Sequence, residues 1–323
     1  MRHTCEVKNS GLTRGSTAGA IVLLVVAICW GSTFFSTKSL LDRMPVFDFL
    51  SLRFGLATLV LIAVAPKSLR MARSDVWRSL VIGGVFAAAQ ITQTFGLKDV
   101  SASVSGFITG LYVVVTPLLG ALLLKVRTKG TVWVAVVLAT VGLAVMSLNI
   151  GTGVLFGIGE WITLASAVLW GLHITLVGHW VRQENMMSLT IASTGAASVV
   201  FLIGGLRDGL TLPTNTVDWI WMLYFAIIVG AVTEYAQFWA QVRVPAALAA
   251  VLMVTEPLWA TVFAIAFGGE SLTTRLVIGG LLMVSAMVLS VWASTPDNLD
   301  PKVKIKRSGR PFRRREVSSP VAP

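Results

Sequence analysis

Glu256 stands beside Pro257 in an apolar stretch, residues 244–268, that carries no other charge. Placing a charged side chain at the centre of a bilayer costs roughly 2.5–3.5 kcal/mol on insertion scales. Holding a glutamate protonated at pH 7 costs about 3.7 kcal/mol. The two penalties are close, so a carboxyl there is poised between its two states, as a proton-coupled carrier requires. Pro257 lacks an N–H and obstructs the carbonyl four residues before it, that of Met253. A freed carbonyl beside a carboxylate suits a substrate ammonium or another cation. The bland alternative is a structural kink held by a hydrogen bond to a neighbouring helix.

Other polar groups lie in comparably apolar surroundings. Glu234, Gln237 and Gln241 fall at i, i+3 and i+7, on one helical face. Gln90 and Gln93 make a second such face. These faces are either walls of a translocation cavity or sources of interhelical hydrogen bonds. Arg53 either snorkels to the surface or pairs with Glu256, Glu270, Glu160 or a substrate carboxylate. Trp30 and Trp170 sit inside apolar runs beside Gly31 and Gly171. Their indoles either stack on a substrate cation or pack the halves of the chain together. His173 and His179 lack a Cys or acid at ligand spacing, so neither a metal nor a cofactor is expected.

These groups must be held by membrane helices. The 323 residues are 55% hydrophobic and only 13% charged, about half the charge of an ordinary soluble domain. The apolar residues form runs long enough to cross a bilayer. Ten spans are expected, over 18–38, 48–65, 77–97, 103–124, 131–148, 158–180, 187–206, 219–241, 244–268 and 274–293. Cys5 and Cys29 make no disulfide framework. Twenty of the 26 Lys and Arg residues fall on one side of this map, which puts both termini in the cytoplasm. The net charge of +11 follows from that bias and from a basic tail, residues 294–323. The tail is expected to be disordered and to touch anionic lipid headgroups, with no role in binding nucleic acid.

The two halves of the chain overlay. At an offset of 140, Trp30-Gly31 meets Trp170-Gly171, Gly55 meets Gly195, and Pro117 meets Pro257. At 144, Gln90 meets Glu234 and Gln93 meets Gln237. Five spans in each half make the repeat inverted, the plan of secondary transporters that bind substrate between their halves. The organisation expected is an N-terminal segment 1–17, repeats over 18–148 and 158–293 joined by a linker 149–157, and the tail. Pro117 and Pro257 are then duplicated kinks, whereas Glu256 corresponds to Thr116 and is an asymmetric addition.

Trp30-Gly31-Ser32, Arg53-Phe54, "GFITGLYVVVTPLLGALLL", Gly159-Glu160 and "TEPLWATVFAIAFGGESLT" together resemble the EamA-type permeases of the drug/metabolite transporter superfamily. The resemblance covers about residues 18 to 293. It implies a ten-span carrier, usually a bacterial inner-membrane exporter of small metabolites. It also implies that Glu160 and Glu270, at the outer rim, act as a gate or as fold determinants. One departure stands out: many family members carry an acid after the fourth span, where this chain reads "LKVRTKG".

A secondary transporter for a small molecule is therefore the leading reading, and a homodimer is compatible with it. A transport-inactive scaffold or receptor is the runner-up. A membrane-embedded enzyme is disfavoured, since no H-E-x-x-H, G-x-S-x-G or Walker A pattern occurs.

Overall fold

A computed structural model describes residues 14–124, 130–147, 156–206, 209–243 and 252–294. Residues 1–13, with Cys5, and the tail after residue 294 lie outside them. Among the described residues every regular element is helical. In order these are α1 (Arg14–Leu41), α2 (Val46–Val64), a 3-10 turn (Pro66–Leu69), α3 (Arg73–Asp99), α4 (Ala102–Gly110), α5 (Tyr112–Leu124) and α6 (Gly130–Ser147). Then come α7 (Ile158–Trp180), α8 (Met186–Gly205), α9 (Thr216–Leu223), a π-helical stretch (Tyr224–Val232), α10 (Thr233–Gln241), α11 (Glu256–Phe267) and α12 (Thr274–Ser294).

Among the described residues eight segments are long and apolar enough to cross a membrane, with α9, the π stretch and α10 acting as one of them, Thr216–Gln241. Two shorter apolar helices, Gly130–Met146 and Glu256–Phe267, fall where the fifth and ninth spans are expected. The first part of that ninth span, residues 244–251, lies outside the described residues.

Local chemistry sets the helix ends. The Ser101 hydroxyl accepts the Val104 N–H at 3.3 Å and opens α4, and the Asn215 amide oxygen accepts the Asp218 N–H at 2.9 Å and opens α9. Within spans, hydroxyls return to carbonyls four residues earlier, as Thr58 does to Phe54 at 2.7 Å and Ser51 to Phe47 at 2.6 Å. These two hydroxyls are thereby paired within their own helices.

Small residues decide which helices touch. A side chain added at Gly55 would meet Ser198, and one added at Gly195 would meet Thr58. Gly142 faces Met283 while Gly279 faces Met146. Each pair is reciprocal, and α2 packs on α8 and α6 on α12. Elsewhere the packing is swapped. Gly31 of α1 lies against Glu256 and Trp259 of α11, and its counterpart Gly171 of α7 lies against Thr116 of α5. The first helix of each half therefore seats on the fourth-span helix of the other.

Three expected spans are not the single regular helices that the sequence suggests. The eighth is interrupted by the π-helical stretch Tyr224–Val232. The fourth breaks at Leu111, whose N–H turns back to the Ile108 carbonyl at 3.1 Å. The break comes six residues before Pro117, which lies inside α5. In the ninth, Leu252 and Met253 are helical, Val254 and Thr255 form a turn, and α11 starts at Glu256 with Pro257 in its first turn. Glu256 thus sits at a helix start rather than mid-helix.

Candidate functional site

The breaks in the fourth and ninth spans face each other. Gly110, the last residue of α4, leaves no room for a side chain because Pro257 and Met287 are already there, and Gly106 is filled by Ala260. The G-x-x-x-G face of the fourth span is therefore the seat of α11. Beside this contact is a closed cavity lined from both halves of the chain.

Arg53, Gln90, Gln93 and Trp30 come to the cavity from the first half. Trp170, Glu234, Gln237 and Glu256 come from the second. All eight residues singled out in the sequence for substrate or coupling roles thus meet in one place. Gln241, expected on the same face, instead lines a separate recess with Arg182 and Phe238. The space enclosed by the eight is small: the centre of a water-sized molecule can range over about 40 Å³. That admits a few waters and no metabolite, so the site is closed in this state.

The two tryptophans meet at the centre, with ring centroids 6.5 Å apart and planes tilted by 34°. Trp30 Nε1 donates to Thr233 Oγ1 at 2.9 Å, and Trp170 Nε1 to Gln93 Oε1 at 3.3 Å. The Gln93 amide in turn donates to Thr109 Oγ1 at 3.4 Å. Each indole is both a packing body and a polar contact to the wall.

Arg53 does not snorkel, since its side chain is only 6% exposed. Its guanidinium carbon lies 4.7 Å from the Phe54 ring centroid, 5.1 Å from Phe225 and 6.0 Å from Phe49, a three-sided aromatic cage. The π-helical stretch presents Phe225 to this cage, and Gly230 within it allows close approach to Ala57 of α2. Arg53 Nε is buried without a hydrogen-bond partner, as is Gln237 Oε1. Among the described residues Arg53 closes no ion pair, unlike Arg43 with Asp218 and Arg78 with Asp75. The cavity wall thus holds a buried donor and a buried acceptor side by side with the two glutamates.

Glu256 is buried, and its Oε2 accepts a hydrogen bond from the Tyr112 hydroxyl at 3.1 Å. The same hydroxyl lies 3.4 Å from the carbonyl of Met253, the one that Pro257 deprives of a helical donor. Sequence reasoning did not single out Tyr112 or Thr109. Both lie close to Gly110 at the break, and Thr33 and Phe34 of α1 line the cavity as well.

Glu160 and Glu270 do not reach the cavity. Glu160 accepts the Gly157 N–H at 3.0 Å and caps its own helix. Glu270 reaches across the chain to the start of α4, accepting from Ala102 N at 2.6 Å and Ser103 N at 3.3 Å. A carboxylate there satisfies two helix-end donors and complements the helix dipole. Glu270→Ala should therefore cost about 0.5–2 kcal/mol, the usual loss for a removed cap. Thermal unfolding in detergent reads this as a lower midpoint, and an unchanged midpoint would show the contact to be incidental.

On the other face of α1 runs a wide groove of about 1030 Å³, lined by Cys29, Ser32, Phe35, Trp221 and Tyr224 and rimmed by Lys38 and Glu270. Ser32 Oγ and Tyr224 Oη, 2.7 Å apart, tie α1 to the π-helical stretch at the inner end of the groove. α1 is thus the partition between an open groove and a closed cavity.

A model of the EamA-like transporter family matches residues 17–148 and again residues 157–292. The chain belongs to the EamA-like transporter family. Its long apolar helices and this membership make it an integral membrane protein. An EamA relative from Archaeoglobus fulgidus, named an uncharacterized transporter, is 30% identical over 268 residues, 83% of either chain. The uncharacterized transporter YetK of Bacillus subtilis is 24% identical over 277 residues, 79% of this chain and 81% of its own. A solved crystal structure superposes with a TM-score of 0.63 at 18% identity, covering 85% of this chain and 96% of the other. At that identity it shows the fold alone.

Proposed function

We propose that this EamA protein is a secondary active transporter that exports a small molecule by alternating access between two five-helix halves. One observation carries the reading: residues from both halves converge on one closed cavity, with a carboxylate at a broken helix on its wall. Discontinuous helices whose ends face a site between repeats are the usual binding architecture of such carriers. In this reading the chain makes ten spans in two inverted repeats, over 18–148 and 158–293, with both termini cytoplasmic and the protein in a bacterial inner membrane.

The wall chemistry suits a small solute with a cationic group and a polar or anionic one, such as an amino acid or a drug-like amine. Glu256 and Glu234 face the cationic part, Arg53 and Gln237 the other, and Trp30 and Trp170 close over it. A proton or the membrane potential supplies the drive. No covalent chemistry is needed, so the protein acts as a carrier and not as an enzyme.

Metabolite profiling of medium and cells, with and without overexpression, identifies the cargo, which should accumulate in the medium. The cavity itself is tested with Glu234→Cys in a background lacking Cys5 and Cys29. Both a membrane-permeant and an impermeant thiol reagent should label it, the second from one side only. Complete resistance to both in every condition would place Glu234 in a dry core and remove it from the site.

A further inference from the structure

The Tyr112 hydroxyl has one hydrogen and two acceptors, Glu256 Oε2 at 3.1 Å and the Met253 carbonyl at 3.4 Å. That carbonyl has no helical donor, because the residue four places on is Pro257. The first half of the chain poses the same problem at Val113, four residues before Pro117, and there the Ser290 hydroxyl donates to the carbonyl at 3.3 Å. Ser290 thus serves the first-half carbonyl, while in the second half the donor is shared with a carboxylate.

We infer that Tyr112 is a positioning residue whose hydroxyl hydrogen switches between Glu256 and the Met253 carbonyl, so that full closure of the cavity requires a proton on Glu256. With Glu256 protonated, its hydroxyl donates to Tyr112 Oη and Tyr112 donates to Met253, and the chain of three is satisfied without moving an atom other than hydrogen. With Glu256 ionised, its carboxylate takes the Tyr112 hydrogen and the Met253 carbonyl is buried with no donor, which costs its full desolvation. The deficit is relieved by opening the break, which brings water or a cationic substrate group to the carbonyl and the carboxylate together. Proton and cationic cargo then compete for the same two oxygens, which is the requirement for their exchange.

Position allows Tyr112 to transmit this. It is the first residue of α5, next to the break at Leu111, while Glu256 is the first residue of α11. One hydroxyl therefore bridges the two broken spans, one from each half. The charged groups that share the cavity with Glu256 are Arg53 of α2 and Glu234 of α10. The helices seated directly on α11 present Trp30, Thr33 and Phe34 from α1 and Thr109 from α4, none of them ionisable.

The inference rests on the transporter reading, and its test needs no cargo. Thr33→Cys is made in the background lacking Cys5 and Cys29, and its modification by a small methanethiosulfonate is followed across pH in proteoliposomes. The same reporter with Glu256→Gln gives the pH dependence of the thiol alone. Beyond that, the parent should be protected at low pH on the order of tenfold, the size expected of one buried hydrogen bond made or lost. Tyr112→Phe should remove this excess. Pro257→Ala should remove it too, by restoring an N–H to Met253, and should leave the cavity closed at every pH. Since Pro257→Ala adds a helix former in place of a breaker, it remains informative if Tyr112→Phe fails to fold. An excess that survives both variants would make Tyr112 a packing residue and overturn the inference. Identical pH dependence in the parent and in Glu256→Gln would mean that there is no excess, and would instead overturn the coupling role of Glu256 itself.

Discussion

Glu256→Gln abolishes coupled flux in proteoliposomes and leaves the protein folded. The amide has the size of the carboxyl, and its oxygen can still accept from Tyr112, so the contact between the broken spans survives. What is lost is the charged state. Burying a neutral amide that keeps its hydrogen bond costs less than burying a carboxylate, so stability should hold or rise slightly. With an entrapped pH dye and a gradient of the identified cargo, proton movement should fall to the level of protein-free vesicles, while cargo exchange against itself persists. Parent-like, pH-dependent flux in this variant would sink the coupling role. The prediction draws on the asymmetry of the repeat, in which Thr116 occupies the corresponding place and its hydroxyl bonds back to the Tyr112 carbonyl at 2.6 Å. The scaffold is complete at that position without an acid, so the acid on the other side serves something besides the scaffold.

Glu256 and Arg53 could be found in the sequence because charge in an apolar run is costly and therefore rare. The reciprocal seats at Gly55 and Gly195 were visible as matched positions at one offset, since a reciprocal contact requires the same small residue twice. The break at Leu111 was not visible. It has a glycine before it and a proline six residues after, a spacing compatible with an unbroken helix, and the element packed against it, Pro257 beside Gly110, comes from the other half of the chain. The π-helical stretch Tyr224–Val232 was hidden for a similar reason. Its residues are almost all apolar, so a widened turn leaves no mark in the pattern, and only its contact with α2 gives it a purpose. The long reach of Glu270 to Ala102 could not be read from neighbours in sequence. Tyr112 was missed because its two partners, Met253 and Glu256, lie in the other half of the chain.

Gly31→Ala should be severe where its counterpart Gly171→Ala is mild, and the difference tests the seat that holds Glu256. A methyl group at residue 31 would lie 2.5 Å from Trp259 Cβ, 2.9 Å from the Ala260 backbone nitrogen and 3.0 Å from the Glu256 carbonyl oxygen. Backbone atoms of a packed helix cannot rotate aside, so α1 must withdraw from α11. Overpacking of this kind costs about 1–3 kcal/mol, and the gain in helix propensity from glycine to alanine returns up to about 1 kcal/mol. At residue 171 the nearest atoms would be Val115 Cγ1 at 3.2 Å, then Leu119 Cδ1 and the Thr116 nitrogen at 3.4 Å. Side-chain ends can give by a few tenths of an ångström, and the propensity gain offsets the remainder. Thermal unfolding in detergent should therefore fall clearly for Gly31→Ala and stay near the parent for Gly171→Ala. Flux should follow the same order, because withdrawal of α1 displaces Trp30 and shifts the start of α11, where Glu256 meets Tyr112. Equal losses from the two substitutions would mean that the close approach at Gly31 does not set the position of Glu256, and the site would have to be held by α4 and α5 alone.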